Sequence, residues 1–135
     1  MNRGKRDQQT RFPTVLQETV RGNVCELLCR IDPEIIYFSG HFDAQPVLPG
    51  VAQLEWAVTC AVTYLQTPDQ FGGMESVKFQ APILPAATVV LAVEWLPEKH
   101  KLKFVYRSPD GHHQHASGVI SLFPLAAQRS NRSAC

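Results

Sequence analysis

Between residues 23 and 31 apolar and polar positions alternate. Cys25, Leu27, Cys29 and Ile31 fall on one side, with Glu26 and Arg30 on the other. A period of two marks a strand with one buried face. The alternation returns at residues 101–107, where Leu102, Phe104 and Tyr106 point one way and Lys101, Lys103 and Arg107 the other. Residues 15–20, 75–81, 88–96 and 116–123 are further strand-like runs. Turn chemistry punctuates them at Asp32-Pro33, Pro82, Pro85, Pro97-Glu98-Lys99-His100 and Pro109-Asp110-Gly111.

One segment has a different period. Val51, Leu54, Val58, Ala61, Val62 and Leu65 recur at helical spacing, which predicts a helix over about residues 49–66. Pro49 suits a first helical turn, and Thr67-Pro68-Asp69 ends the run. The other side, with Trp56, Ala57, Cys60 and Tyr64, is hardly more polar. A helix apolar nearly all round is expected to be buried. One long buried helix among five or six antiparallel strands is an α+β layout. Residues 1–11 read as a flexible basic arm, 12–124 as a single domain and 125–135 as a flexible tail.

Composition narrows the choices. The chain has 135 residues, 44% apolar and 19% charged, which suits one globular domain. A domain this short buries about two-thirds of its unfolded surface, so a deep pocket is more easily built between two subunits. The net charge of +1 gives no support to nucleic-acid binding. It also hides a split. Residues 1–11 and 129–135 hold six basic residues and one acid, while the body between them holds seven basic residues and eleven acids. The most apolar stretch, residues 47–65, contains Pro49, Gly50, Gln53 and Glu55, so no membrane span is expected. Residues 1–11 lack an apolar segment and do not resemble a secretory signal, which makes the cytoplasm the expected location. The four cysteines, Cys25, Cys29, Cys60 and Cys135, form no Cys-x-x-Cys pair. They are expected to be reduced, the first three in or near the core.

Chemistry concentrates between residues 37 and 55. His41 lies between Gly40 and Phe42, and an imidazole can exchange a proton near neutral pH. Glu55 is the only charged residue between Asp43 and Asp69 and sits on an apolar helix, where a buried carboxylate would hold its proton more tightly. Pro49-Gly50 opens that helix. First-turn N–H groups lack intrahelical acceptors and stand at the positive dipole end, where they can hold an oxygen gaining negative charge. A lone His in an aromatic loop is more often structural, a lone Glu often pairs with a cation, and Pro-Gly is common at helix starts. Their combination within fifteen residues points to an active site. His112-His113-x-His115 has no Cys or carboxylate set nearby in sequence to complete a metal site, and no metal is expected.

Gly40-His41-Phe42, Pro46-x-x-Pro49-Gly50-Val51 and then Glu55 resemble the FabZ/FabA-type 3-hydroxyacyl-acyl-carrier-protein dehydratases. The interval of fourteen residues from His to acid, with Pro-Gly between, is a specific pattern. Val77-Lys78-Phe79-Gln80-Ala81-Pro82 is similar to the family strand after the helix, and residues 51–57 look closest to the ApeI-like branch of aryl-polyene pathways. The resemblance implies a hotdog fold over residues 12–124, a curved antiparallel sheet wrapped around one long central helix. It implies that His41 removes the C2 proton of a 3-hydroxyacyl thioester, that Glu55 protonates the departing hydroxyl, and that the Gly50 amide holds the thioester oxygen. Val51 and Phe42 would line the substrate site, and Phe38, Trp56 and Tyr64 an acyl tunnel. His and acid would come from different subunits of a homodimer or heterodimer. The implied partner is acyl carrier protein, whose phosphopantetheine arm carries the substrate; no cofactor is implied.

The chain departs from the family pattern in three places. Asp43-Ala44 replaces the usual Pro-Gly, Thr59 replaces a common Gln, and Gln80 and Ala81 stand at positions often basic. Lys78, Lys99, Lys101, Lys103 and Arg107 are alternatives for meeting an acidic carrier protein, or simply a solvated strand face. Two rival functions are a hotdog acyl thioesterase and a non-catalytic, carrier-binding subunit of a dehydratase heterodimer.

Overall fold

The computed structural model describes residues 12–33 and 47–125. Its elements run β1 (Thr14–Arg21), β2 (Val24–Arg30), α1 (Gly50–Leu65), β3 (Gln70–Phe79), β4 (Thr88–Leu96), β5 (Lys101–Arg107) and β6 (Gln114–Phe123). The strands form one antiparallel sheet in the order β1-β2-β4-β5-β6-β3. The sheet curves around α1, which is the hotdog architecture. The helix lies in the connection that carries the chain from β2 to the far edge strand, β3, and it packs mainly on β4, β2 and β5.

Period-two patterning builds the inner face of the sheet. Cys25, Leu27 and Cys29 of β2 are buried, as are Val89, Leu91 and Val93 of β4. Leu102, Phe104 and Tyr106 of β5 and Ala116, Ile120 and Leu122 of β6 continue the layer. The cross-strand partners share a face, as pleating requires: Leu27 opposes Leu91, and Leu91 opposes Tyr106. Tyr106 ties sheet to helix by donating its buried hydroxyl to the Gln53 backbone carbonyl at 2.6 Å. At the end of β2, Asp32 accepts hydrogen bonds from Thr14 at 2.5 Å and Arg30 at 2.9 Å, which closes the β1–β2 pair.

Strands β4 and β5 match the expected limits, and the helix ends within a residue of them. Pro49 stands at the N-cap in extended conformation, and Gln66 ends the helix in the left-handed region. The third strand differs. The alternation suggested residues 75–81, but β3 begins at Gln70 and includes Gly72-Gly73. Pairing with β6 overrides the weak local signal, and two register shifts absorb the irregular residues. The ring of Phe123 lies against Gly72, where a Cβ would collide with it.

The expectation of a helix buried all round also needs correction. Ala52, Gln53, Trp56, Ala57, Cys60 and Ala61 are buried, whereas Val51 is 69% exposed and Leu54 and Val58 are only partly covered. Small residues let the helix approach the strands closely, and Trp56 fills the remaining gap, meeting the Phe12 ring edge-on at 5.8 Å. The branched residues at helical spacing belong to the other face. Cys25, Cys29 and Cys60 are buried and free, with the Cys25 and Cys60 sulfurs 3.9 Å apart. Among the described residues, no helix is long and apolar enough to cross a membrane.

Candidate active site

The start of α1 is held by backbone contacts on both sides. Leu48 N–H donates to the Ile83 carbonyl at 2.9 Å, tying the segment before the helix to the segment after β3. The N–H groups of Ala52 and Gln53 both donate to the Pro49 carbonyl, at 3.1 and 3.2 Å. The N–H groups of Gly50 and Val51, in the first turn, have no intrahelical acceptor and carry the positive end of the dipole. Glycine at position 50 answers a close approach: a Cβ there would lie 2.7 Å from the tip of the Phe79 ring. A cavity of about 320 Å³ opens here, lined by Val47, Leu48, Gly50, Gln53 and residues 79–82.

Glu55 faces elsewhere. It lines a groove of about 420 Å³ with Val51, Leu54 and Val58 of α1 and Phe71 and Met74 of β3. Five residues separate Glu55 from Gly50, which is about 140° around the helix and about 7.5 Å along it. The carboxylate was expected to be buried; in this chain it is exposed, because the sheet covers only the small-residue face of α1. The groove is otherwise wholly apolar in its lining residues, and Val51, Phe71 and Met74 are 69%, 59% and 55% exposed. Such a continuous apolar surface on a single chain is characteristic of an interface or binding groove.

His41, Phe42 and Phe38 lie outside the described residues, as do Asp43, Ala44 and Cys135. So do the arm at residues 1–11 and all but the first residue of the tail at 125–135. Trp56 points into the core, at 1% exposure, and does not line the groove beside Glu55. Tyr64 lies nine residues beyond Glu55, roughly 13 Å along the helix. Partial burial, together with the Glu18 carboxylate of β1 nearby, pushes its hydroxyl up from the usual tyrosine range. The structure therefore groups Val51 with Glu55, groups Gly50 with a second cavity, and separates Trp56 and Tyr64 from both.

The basic residues are spread over β3, β5 and the turn between β4 and β5. Lys101 pairs with Glu75 at 2.7 Å and Arg107 with Glu26 at 3.4 Å, while Lys78, Lys99 and Lys103 are exposed. The histidine-rich turn is organised by Asp110. Its carboxylate accepts from the Ser108 hydroxyl at 2.6 Å and the His112 N–H at 2.9 Å, contacts that stabilise the charged form and hold its pKa below the usual carboxylate range. Among the described residues, no three His, Cys, Asp or Glu side chains cluster in a way that could hold a metal ion.

Three contributors escaped the sequence pattern. Phe71 and Met74 sit in a stretch with no clean alternation, and their place beside Glu55 comes from the pairing of β3 with β6. Gln53 stands out in the sequence only as a polar interruption of the apolar stretch 47–65, yet it is 4% exposed and forms a wall of the Gly50 cavity. Its signal was available: a polar residue flanked by Ala52 and Trp56 on the small-residue face.

Comparison with known proteins places this geometry in a family. The family model described as ApeI-like, ApeI dehydratase, matches residues 17–119. The chain belongs to the ApeI-like dehydratase family. A crystal structure of an uncharacterized protein from Erwinia carotovora subsp. atroseptica superposes with a TM-score of 0.74 at 38% identity, covering 84% of this chain and 98% of that one. The dehydratase heterocomplex ApeI:P from Xenorhabdus doucetiae contains a chain that superposes with a TM-score of 0.73 at 34% identity, covering 81% of this chain and 96% of that one. Among curated relatives, the 3-hydroxyacyl-[acyl-carrier-protein] dehydratase FabZ of Desulfotalea psychrophila is 32% identical over 78 residues, covering 51% of this chain and 52% of its own. The chain thus spans about half the length of this curated relative, and 65% of the FabZ of Albidiferax ferrireducens.

Proposed function

We propose that this chain is a subunit of a dehydratase that removes water from a 3-hydroxyacyl thioester on acyl carrier protein, giving the trans-2-enoyl thioester. The observation that carries this reading is the division of α1 between two cavities. Glu55 opens onto the apolar α1–β3 groove, and the helix start opens onto the cavity lined by Gly50. Within one chain Glu55 does not share the cavity of the Gly50 amide, which supports a reading in which a second subunit brings its acid to that amide.

Each group then has a task that the reaction requires. His41 takes the C2 proton. The Gly50 N–H, at the positive end of the helix dipole, holds the thioester oxygen as it becomes enolate-like. Glu55 of the opposing subunit delivers a proton to the hydroxyl, which is otherwise a poor leaving group. Acid and base are each worth roughly 10²–10⁴-fold. The chemistry calls for no metal or redox cofactor, and the substrate arrives on the phosphopantetheine arm. The exposed apolar face formed by Val51, Leu54, Val58, Phe71 and Met74 supports association with a second hotdog subunit. The similarity to one chain of the ApeI:P heterocomplex favours a second reading, in which the partner subunit is a different chain.

Mass spectrometry of carrier-bound 3-hydroxyacyl substrates tests the proposal. Wild-type protein should convert them with loss of water, and His41→Ala and Glu55→Gln should each remove the activity while leaving the fold intact. Release of free acid and free thiol would instead mark a thioesterase. Activity only beside a second hotdog chain would mark a subunit that depends on a different partner.

A further inference from the structure

The cavity at the start of α1 holds a feature that dehydration itself does not use. Gln53 is 4% exposed, and its Nε2 donates to the Leu48 carbonyl at 3.2 Å, which fixes the orientation of the carboxamide. Its backbone carbonyl receives the Tyr106 hydroxyl. Its Oε1 is buried and, among the described residues, accepts no hydrogen bond. A buried acceptor without a donor is uncommon and destabilising, and one that persists next to a cavity points to a donor supplied from outside the fold. Gln53 and Gly50 both line that cavity. Three residues apart, they share one helix face about 4.5 Å apart along the axis.

We propose that Gln53 is a specificity-determining residue whose Oε1 accepts a hydrogen bond from the amide N–H of the carrier arm nearest the thioester sulfur. The inference rests on the dehydratase reading above. In a pantetheine thioester, the acyl carbonyl and the first amide nitrogen are separated by the sulfur and two methylenes, a spacing comparable to one helical turn. With the thioester oxygen at the Gly50 amide, that N–H falls within reach of the next turn, where Gln53 stands. An ester oxygen in place of the N–H would set lone pairs against the buried Oε1 and leave it without a donor.

Two small thioesters of the same 3-hydroxyacyl group separate the possibilities: one on N-acetylcysteamine, the other on O-acetyl-2-mercaptoethanol, which replaces the amide N–H by oxygen. The full-length wild-type protein should favour the amide substrate by about tenfold or more in kcat/KM, expressed mainly in KM. Gln53→Met, similar in size and without the acceptor, should use both substrates alike, a loss of preference that a purely structural role would not produce. Equal use of both by wild type would overturn the proposal while leaving dehydration standing, and so would a preference that survives in Gln53→Met. Water lost from neither thioester would overturn the dehydratase reading and this proposal with it. Should Gln53→Met fail to fold, the wild-type comparison alone decides.

Discussion

The two faces of α1 are almost equally apolar, yet they do different work. One carries Ala52, Trp56, Ala57, Cys60 and Ala61 and disappears against the sheet. The other carries Val51, Leu54 and Val58 around Glu55 and stays open. The difference is size rather than polarity. Small side chains let a helix settle onto a curved sheet, and one large ring fills what curvature leaves. Branched side chains hold the helix away from the strands and suit a second packing partner. Hydrophobic periodicity detects both faces and cannot rank them, whereas residue volume can.

Substitutions on the two faces should therefore fail in different ways. Trp56→Ala, on the covered face, should destabilise the fold by about 3–5 kcal/mol in chemical denaturation, by opening a cavity in the core. Little loss of stability would show that the covered face is not the core-forming one. Glu55→Gln, on the open face, should lower dehydration roughly 10²–10⁴-fold with an unchanged melting temperature. A parallel fall in stability would make Glu55 a structural residue. Val51→Asp should leave each chain folded and shift its mass in sedimentation or light scattering from dimer to monomer, with activity falling at least about tenfold. An unchanged mass would remove the open face from the subunit interface.

A pH prediction belongs to the core between the covered face and the sheet. Burial pushes the Cys29 thiol from 9.0 up to about 12, and burial also raises Cys60 and Tyr106. The folded chain holds these protons more tightly than the unfolded chain. Their stabilising contribution is complete below pH 9 and is lost as pH rises toward 12, at up to about 1.4 kcal/mol per pH unit for each group. Denaturation series at pH 8, 9 and 10 should show the decline, and Cys29→Ala should make it shallower. The smallest effect is expected for Tyr106→Phe, which removes the hydroxyl from the Gln53 carbonyl and should cost about 1 kcal/mol. If that substitution is neutral, packing alone joins helix and sheet at this point.

Much of the architecture is legible in the sequence. The alternation at residues 23–31 and 101–107 became β2 and β5, and the helical spacing became α1 within a residue at each end. Strand β3 was less legible because Gly72-Gly73 and the irregular run around Ser76 disrupt the local period, and only the β6 ladder restores it. At the site, Gly50 and Glu55 were visible as chemical types. Their separation into two cavities was not, since it depends on helix phase relative to a sheet built from distant strands.

Local physics is enough to specify which segments extend, which one coils, and which residues carry a proton or a free amide. Alternation, helical period, turn residues and the interval from His41 to Glu55 are short-range properties that any solvated chain of this sequence carries. The covering of one apolar helix face and the opening of the other are long-range outcomes. They arise because β3 crosses to the far edge beside β6, where it lines a groove with the face of α1 that carries Glu55. No neighbour in sequence supplies that contact, so its place beside the candidate acid emerges only when the whole sheet closes around the helix.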